Sequence, residues 1–299
     1  MPQLSSCRWL LLAGLAGAAL ATPAAAQRPS PPQPGVLRVC ADPDNMPFSN
    51  DKGEGFENKL AELIAREWNS KLQYLWFPQR RGYFRVLNGL YCDLAIEAPT
   101  QLDMAATTKP YYRSGYVFVV RKGSGLEDLK SLDDPRLKKL TIGVNLYTSD
   151  AENSPPAMAL SQHGVVGNLK GFGTFYSSDT RPEDIIKAVA EKQVDVAIVW
   201  GPLAGYFAKR SPVPLVLIPL PPRDSLSGYP MQYNIAMGVR RRDRELRDSL
   251  QRVLDRKRPE IEAILKEYNV PVLPMTGDSA QRAGAALPPS ERAKGSPSR

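Results

Sequence analysis

The stretch LRVCADPDNMPFSN, Leu37 to Asn50, with Gly55-Phe56-Glu57 just after it, decides how the rest of the chain is read. Leu37 to Ala41 is apolar and reads as a short strand. Asp42-Pro43-Asp44-Asn45 breaks it, and Met46-Pro47-Phe48 leads toward a helix that opens near Phe56. A first strand ending in a polar turn that carries an aromatic, then a helix, is the opening unit of an open α/β sheet. In such sheets ligand sites lie beyond the carboxyl ends of the strands. Asp42, Asn45 and Phe48 are therefore expected to face a cleft.

Strand and helix alternate downstream. Phe56 to Trp68 sets Leu60, Leu63, Ile64 and Trp68 on one helical face. Leu72 to Phe77 reads as a strand, Tyr83 to Asn88 as a short helix ended by Gly89, and Asp93 to Ile96 as a buried strand. Tyr116 to Val120 is extended, and a first crossover between lobes is expected at Arg121-Lys122-Gly123. A second α/β unit follows, with strands at 140–144 and 194–199. Ser154-Pro155-Pro156 is a good helix start, and Thr180 with Glu183 forms a capping-box pattern. Leu215 to Ile218 is a strand, the return crossover falls between Pro219 and Gln232, and Tyr233 to Val239 re-enters the first lobe. Helices over 243–254 and 259–268 close it. The expected division is lobe I over 36–119, lobe II over 120–220, and crossover with return to lobe I over 221–274.

The ends set the compartment. Arg8 precedes an apolar run, Trp9 to Ala21, too short to span a bilayer, and Ala24-Ala25-Ala26 forms a small-residue cleavage site. Residues 1–26 thus read as a signal peptide cleaved after Ala26. Residues 27–35 are a Pro-rich linker and 275–299 a disordered tail. The expectation is an exported chain without a membrane span. About 240 residues remain, enough for two lobes with their own cores. The formal charge of +8 falls to about +4 on this body, and no basic-aromatic motif points to nucleic acid. Two cysteines survive processing, Cys40 and Cys92. An even pair in an exported chain suggests a disulfide, with two buried free thiols as the alternative. Bridging requires Cα atoms within about 7 Å.

Enzyme and metal chemistry find little support. His163 is the only histidine, beside Gly164 at an expected helix end, with no nucleophile turn near it. One histidine and two cysteines make a poor ligand set for a metal. No Gly-rich phosphate loop follows a strand. No catalytic residue, metal or cofactor is assigned. Glu57 and Glu97 are the only carboxylates worth raising for acid-base work, and fold analogy alone does not license that. The run Arg240, Arg241, Arg242, Arg244, Arg247 and onward is interleaved with Asp and Glu, and reads mostly as a solvated helix face.

From Val36 to Pro274 the chain resembles the type II periplasmic solute-binding proteins, through LRVCADPDNMPF, GFENKLAELIA, CDLAIEAPT, KPYYRSGYVFVVRKG, LTIGV and VDVAIVWGPLAGYF. It is similar more narrowly to the quinoprotein-dehydrogenase-associated members, the MoxJ/XoxJ type. That likeness rests on DPDNMPFSN (42–50), WFPQRRG (76–82), AATTKPYYRS (105–114), NSPPAMAL (153–160), VWGPLAGYFA (199–208) and MGVRRRD (237–243). The resemblance implies a two-lobed α/β fold with two crossover strands and a cleft between the lobes. It also implies a periplasmic, non-enzymatic accessory role beside a PQQ-dependent, chiefly methanol, dehydrogenase. The alternative is the substrate-binding component of an ABC transporter for an unknown small solute.

Amino-acid binders of this superfamily carry an arginine, in a longer loop after the strand matching 93–96, that grips the ligand carboxylate, and an acid after the second-lobe strand that holds the ammonium. Here 97–106 is short and has no arginine, and Trp200 stands at the position of the acid. A zwitterion buried without those partners would cost several kcal/mol, so an amino acid is a poor fit. The expected cleft lining is Asp42, Asn45, Phe48, Arg80, Arg81, Thr100, Thr107, Thr108 and Trp200, receiving a small molecule or a peptide loop of a partner. Each has a plainer reading: an Asx turn for Asp42 and Asn45, core packing for Phe48 and Trp200, solvated charge for Arg80 and Arg81. Tyr111 and Tyr112 are as well suited to packing at a crossover as to ligand contact.

Overall fold

A computed structural model describes residues 33–78, 83–100, 103–146, 153–174, 176–177 and 179–275. The expected signal peptide, residues 27–32 of the linker, residues 276–299 of the tail, and Arg80 and Arg81 lie outside the described residues.

The opening stretch folds as its pattern demands. Strand β1 is Val36–Ala41, and its burial reflects a central place in the sheet. Short strands β2 (Asp44–Asn45) and β3 (Ser49–Asn50) pair as a small ribbon, with a cis Met46–Pro47 bond between them. Helix α1, Phe56–Glu67, follows. Asn58 fixes its start: Oδ1 accepts from the Gly55 and Asn50 backbone N–H groups at 3.0 and 3.1 Å. The Gly55 N–H at the helix start is thereby paired, and the same oxygen ties the helix to β3. A Cβ on Gly55 would sit 2.0 Å from the Phe48 carbonyl oxygen, so ribbon and helix approach this closely only over glycine. Leu60, Leu63 and Ile64 are buried as the helical spacing predicts, with Trp68 packed at the edge of the same core.

The remaining elements are β4 (Lys71–Trp76), α2 (Tyr83–Asn88), β5 (Leu94–Pro99), β6 (Ala106–Thr107), β7 (Tyr112–Arg121), β8 (Ile142–Leu146), α3 (Pro155–Gln162), β9 (Leu169–Gly173), α4 (Asp184–Ala190), β10 (Val196–Trp200), α5 (Gly201–Lys209), β11 (Leu215–Pro219), β12 (Gln232–Val239), α6 (Arg244–Arg256) and α7 (Arg258–Glu267). The strands run in the order β4-β1-β5-β12-β7-β10-β8-β9, with β6 also on β12 and β11 also on β7. β1 is parallel to β4 and β5, and β8 is parallel to β10 and β9. This is the mixed α/β fold of the type II binding proteins.

β7 joins the two halves. Its residues Tyr112 to Gly115 pair with β12, and from Tyr116 on it pairs with β10 and then β11. The change of partner falls between Gly115 and Tyr116, inside a continuous strand. The expected crossover at 121–123 is at the strand's far end. A Cβ on Gly115 would meet the Gln232 side chain at 2.7 Å, which is why the two chain passages can lie against each other here. One core gathers β1, β5, β12, α1 and the closing helices. A second gathers Tyr116, Phe118, Val120, Ile142, Val144, Ile198 and the α3 face.

Three sequence expectations are corrected. The capping box at Thr180 and Glu183 does not form: α4 begins at Asp184, whose carboxylate instead accepts from the Arg181 N–H at 2.8 Å. β9 was not anticipated, because LKGFG carries a lysine and two glycines at a sheet edge, a composition unfavourable for strands. Arg240 is no solvated charge. It is 2% exposed and anchors on Asp93, which also receives Arg38 at 2.7 Å. Arg241, Arg242 and Arg244 are exposed, as the run suggested.

Cys40 and Cys92 form a disulfide, with Cα atoms 5.4 Å apart. The turn ahead of β5 brings Cys92 back over the end of β1, beside Leu87 and Ala95. His163 ends α3 and is held by Asp224, its Nε2 lying 2.8 Å from the Asp224 carboxylate, so it does structural work.

Candidate functional site

A cavity of about 370 Å³ opens where the carboxyl ends of β5, β8 and β10 converge. Its wall is made by Asn45, Phe48, Glu97, Pro99, Tyr116, Asn145, Pro155, Tyr176, Trp200, Leu203, Tyr233 and Ile235. The size suits a small molecule.

The aromatic wall is built from both halves. Trp200 closes β10, and its ring centroid lies 5.4 Å from that of Tyr116 and 5.9 Å from that of Tyr233, at 62° and 71°. Phe48, on the turn after β2, packs against Phe56 of α1 at 5.3 Å. The two Trp200 contacts are edge-on, an arrangement that ring quadrupoles favour, and the Phe48–Phe56 pair is tilted.

Glu97, near the end of β5, is the one charged side chain on this wall among the described residues. The Trp200 indole N–H donates to its Oε1 at 3.2 Å, and the Tyr112 hydroxyl donates to the same oxygen at 3.0 Å. The indole bond reaches from the β10 side to the β5 side of the cleft. Behind Glu97 lies Glu57, in the first turn of α1 and 2% exposed. Among the described residues, no N–H or O–H donor reaches either Glu57 oxygen. The group facing it is the Glu97 carboxyl, so the bond joining the two carboxyls requires a proton. Burial first, then the Glu97 charge and that shared bond, then Asp42, hold the Glu57 carboxyl well above the usual carboxylate range. These effects favour the neutral form of the Glu57 carboxyl. Burial, and after it Glu97, also pushes the Tyr112 phenol up, which keeps it a donor.

Of the residues picked out in the sequence, Asn45, Phe48 and Trp200 share the cavity wall. Asp42 is buried in the turn. Its Oδ1 accepts from the Asp44 N–H at 3.1 Å, and its backbone is tied to the Ser49 hydroxyl. This is the Asx-turn reading. Thr108 is buried, pinned between the Lys109 carbonyl and the Met237 N–H. Thr107 pairs with Gly238 in β6, and the Thr100 N–H donates to the Asn234 carbonyl. None of Asp42, Thr100, Thr107 and Thr108 is on the described cavity wall. Tyr111 and Tyr112 face inward, donating to the Ile96 carbonyl and to Glu97. Trp76 stacks on Tyr74 on the outer strand β4, away from the cavity.

The sequence reading passed over Tyr116, Asn145, Tyr176 and Tyr233, and raised Glu97 only as a catalytic acid. A carboxylate inside the apolar run CDLAIEAPT was the available signal, since a charge is seldom placed in a buried strand without a task.

A cleft between two α/β halves joined through β7, with its recognition groups at strand ends, defines a binding protein. The profile of the bacterial extracellular solute-binding proteins matches residues 92–268, and the chain belongs to that family. Within it, the chain is 33% identical to the protein MoxJ of Methylorubrum extorquens over 278 residues, which is 87% of this chain and 92% of that one. It also superposes on the crystal structure of the periplasmic binding protein XoxJ from Methylobacterium extorquens AM1, with a TM-score of 0.65, 42% identity, and coverage of 80% of this chain and 100% of that one. The crystal structure of MxaJ from Methlophaga aminisulfidivorans MPT matches with a TM-score of 0.67 and 28% identity, over 80% of this chain and 100% of that one. No helix among the described residues is long and apolar enough to cross a membrane.

Proposed function

We propose that this chain is a periplasmic accessory binding protein of a PQQ-dependent methanol dehydrogenase system, assisting maturation or activation of the dehydrogenase without catalysing a reaction itself. The similarity to MoxJ across nearly the full length of both chains carries the reading. The cavity supports it. No arginine is found on the described wall, and Trp200 stands where amino-acid binders place an acid, so the carboxylate of an amino acid would lack its usual anchor among the described residues. The carboxylates do not favour chemistry: Glu57 is sealed behind Glu97 and does not reach the wall. Export follows from the signal peptide read over residues 1–26, with cleavage after Ala26.

Tagged mature protein, Gln27 to Arg299, is used to capture partners from the periplasm of the source cell. A quinoprotein dehydrogenase enriched over a tagged unrelated binding protein is the expected outcome, with lower dehydrogenase activity in a deletion strain. Normal activity in that strain together with no enrichment would reject the reading. The cavity's small-molecule size favours a second reading, the solute-binding component of an ABC transporter. That reading requires a solute whose uptake fails in the same deletion strain.

A further inference from the structure

We propose that residues Asn269 to Pro274 form a brace that fixes the angle between the two halves, so that the cavity receives its occupant as a preformed pocket, without closure of one half onto the other. The brace acts in the same way whatever the cleft receives, so it stands apart from the function proposed above.

The segment is stiff and anchored at its start. Asn269 follows α7 with a φ of 54°, and this left-handed residue turns the chain away from the helix. Pro271 and Pro274 then fix their own φ and disfavour helix at Val270 and Leu273. Tyr268, just before the turn, belongs to the first half. Its ring lies edge-on to Phe56 of α1 at 6.0 Å, and its hydroxyl donates to the Glu54 carbonyl. From there the segment reaches both sides of the crossover. The Leu273 N–H donates to the Arg113 carbonyl at 2.8 Å, the Arg113 guanidinium to the Pro274 carbonyl at 3.0 Å, and the Ser114 hydroxyl to the Pro271 carbonyl at 2.7 Å. Arg113 and Ser114 immediately precede the change of partner in β7 after Gly115. The Asn269 side-chain amide donates to the Gly205 carbonyl of α5, in the second half, at 2.8 Å.

Helix α5 is shaped to receive the segment. Gly201 and Gly205 lie about one turn apart on one face, while Leu203, about 200° round from each, is on the cavity wall. A Cβ on Gly205 would sit 2.1 Å from the Asn269 carbonyl oxygen. One on Gly201 would sit 2.7 Å from the Gly115 carbonyl oxygen and 3.5 Å from the Pro271 ring. Backbone thus meets backbone on the face turned from the cavity. Beside it Tyr206 stacks on Tyr268 at 5.7 Å and 16°, and Val270 is buried in the core that holds both Leu265 of α7 and Ala204 of α5. The cavity side is tied as well: Trp200 and Tyr233 form an aromatic corner across the halves, and the Trp200 indole donates to Glu97. A rotation about Gly115 and Tyr116 would slide α5 past the segment. It would strip the Asn269 bond, part the Tyr206–Tyr268 stack and open Val270 to water. Close-packed contacts of this kind resist continuous sliding. A pocket held in shape beforehand also spares its occupant the cost of ordering it.

Spin labels on Arg66→Cys in α1 and Gln162→Cys in α3, both exposed helix positions, report the distance between the halves by pulsed dipolar EPR. The native cysteines are bridged and take no label. The mature chain is expected to give one narrow distance. Ser114→Ala, Tyr206→Ala and Asn269→Gly combined remove the side-chain ties, with glycine keeping the left-handed turn, and should add a second distance. Gly205→Ala, which wedges the segment off α5, should do the same by a different route. Val272→Ser, at an exposed position of the segment, should leave the distance unchanged. In the mature chain the Leu273 N–H should exchange with solvent deuterium as slowly as core amides, a reading that needs no variant. Two resolved distances in the mature chain would overturn the proposal. So would fast exchange at Leu273, or a single unchanged distance in both the triple variant and Gly205→Ala. No dehydrogenase or solute enters these measurements, so the brace and the capture of a partner succeed or fail apart.

Discussion

Replacing Glu57 with glutamine should stabilise this protein at neutral pH and do little in acid. Glu57 is 2% exposed, and its oxygens meet no N–H or O–H donor among the described residues. Its neighbours are the carboxyls of Glu97 and Asp42 and the hydroxyl of Tyr112, so no cation among these favours its charge. Folding therefore raises its pKa. The sign follows directly. Below the ordinary carboxyl pKa of about 4.5, Glu57 is protonated in both the folded and the unfolded chain, and no stability is at stake. Above it the unfolded chain releases the proton while the folded chain keeps it. The folded state then binds more protons, and stability falls as pH rises, by about 1.4 kcal/mol per pH unit, until the folded pKa is reached. Glutamine has the same shape, and its amide N–H₂ can donate to Glu97 where the shared proton now sits. It carries no titration.

Urea unfolding of wild type and Glu57→Gln, in steps from about pH 4.5 to about pH 8, measures the difference. All other groups common to the two chains cancel, so the difference curve reports the Glu57–Glu97 pair as a unit. It should start near zero and rise with a slope approaching about 1.4 kcal/mol per unit in favour of the variant. A flat difference curve, or a variant that loses ground as pH rises, would refute the shared proton. So would an infrared spectrum at neutral pH in which wild type shows no protonated-carboxyl band that the variant lacks.

Three further outcomes are expected. Reducing the Cys40–Cys92 bridge, or replacing both cysteines with serine, releases a loop of 52 residues' separation and should lower unfolding free energy by up to about 4 kcal/mol, read as a drop in urea midpoint with and without reductant. Arg240→Met strips the buried Asp93 of one of two guanidinium partners and leaves the Leu87 and Cys92 carbonyls short of a donor, so a loss of about 3 kcal/mol is expected. A midpoint within error of wild type would show the network to be dispensable. Gly205→Ala would set a Cβ 2.1 Å from the Asn269 carbonyl oxygen, where α5 crosses the segment after α7, and should cost about 2 kcal/mol or more by thermal unfolding. Gly167→Ala, with open space around it, is the control.

What the sequence made legible was periodicity and punctuation. The spacing of Leu60, Leu63 and Ile64 specified the buried face of α1. Pro and Gly marked most element ends, and an even pair of cysteines in an exported chain suggested the bridge. Long-range geometry escaped. Arg240 sits in a run of arginines and differs from them only because β12 delivers it beneath the disulfide, next to Asp93. Thr108 was expected on the cleft lining, yet a two-residue strand turns it inward, where it accepts from the Met237 N–H. The aromatic corner was half visible. Trp200 stands out at a strand end, but Tyr233 comes from 33 positions later, and nothing local says that the two rings meet.

Glu97 ties these observations together, because its neighbours set its charge and its position at once. The Trp200 indole and the Tyr112 hydroxyl donate to one of its oxygens, and the Glu57 carboxyl packs behind it. Burial favours the neutral form of that second carboxyl. Two ionised carboxyls side by side would repel and splay, whereas one shared proton leaves a single negative charge at a defined place. The stability given up to bury Glu57 at neutral pH is thus the counterpart of a carboxyl pair held at a defined place beside the cavity. On this reasoning Glu57→Gln, which keeps the shape and removes the titration, should strengthen the fold while leaving the cavity wall in place. A variant no more stable than wild type at neutral pH would show that burying this carboxyl costs the fold nothing.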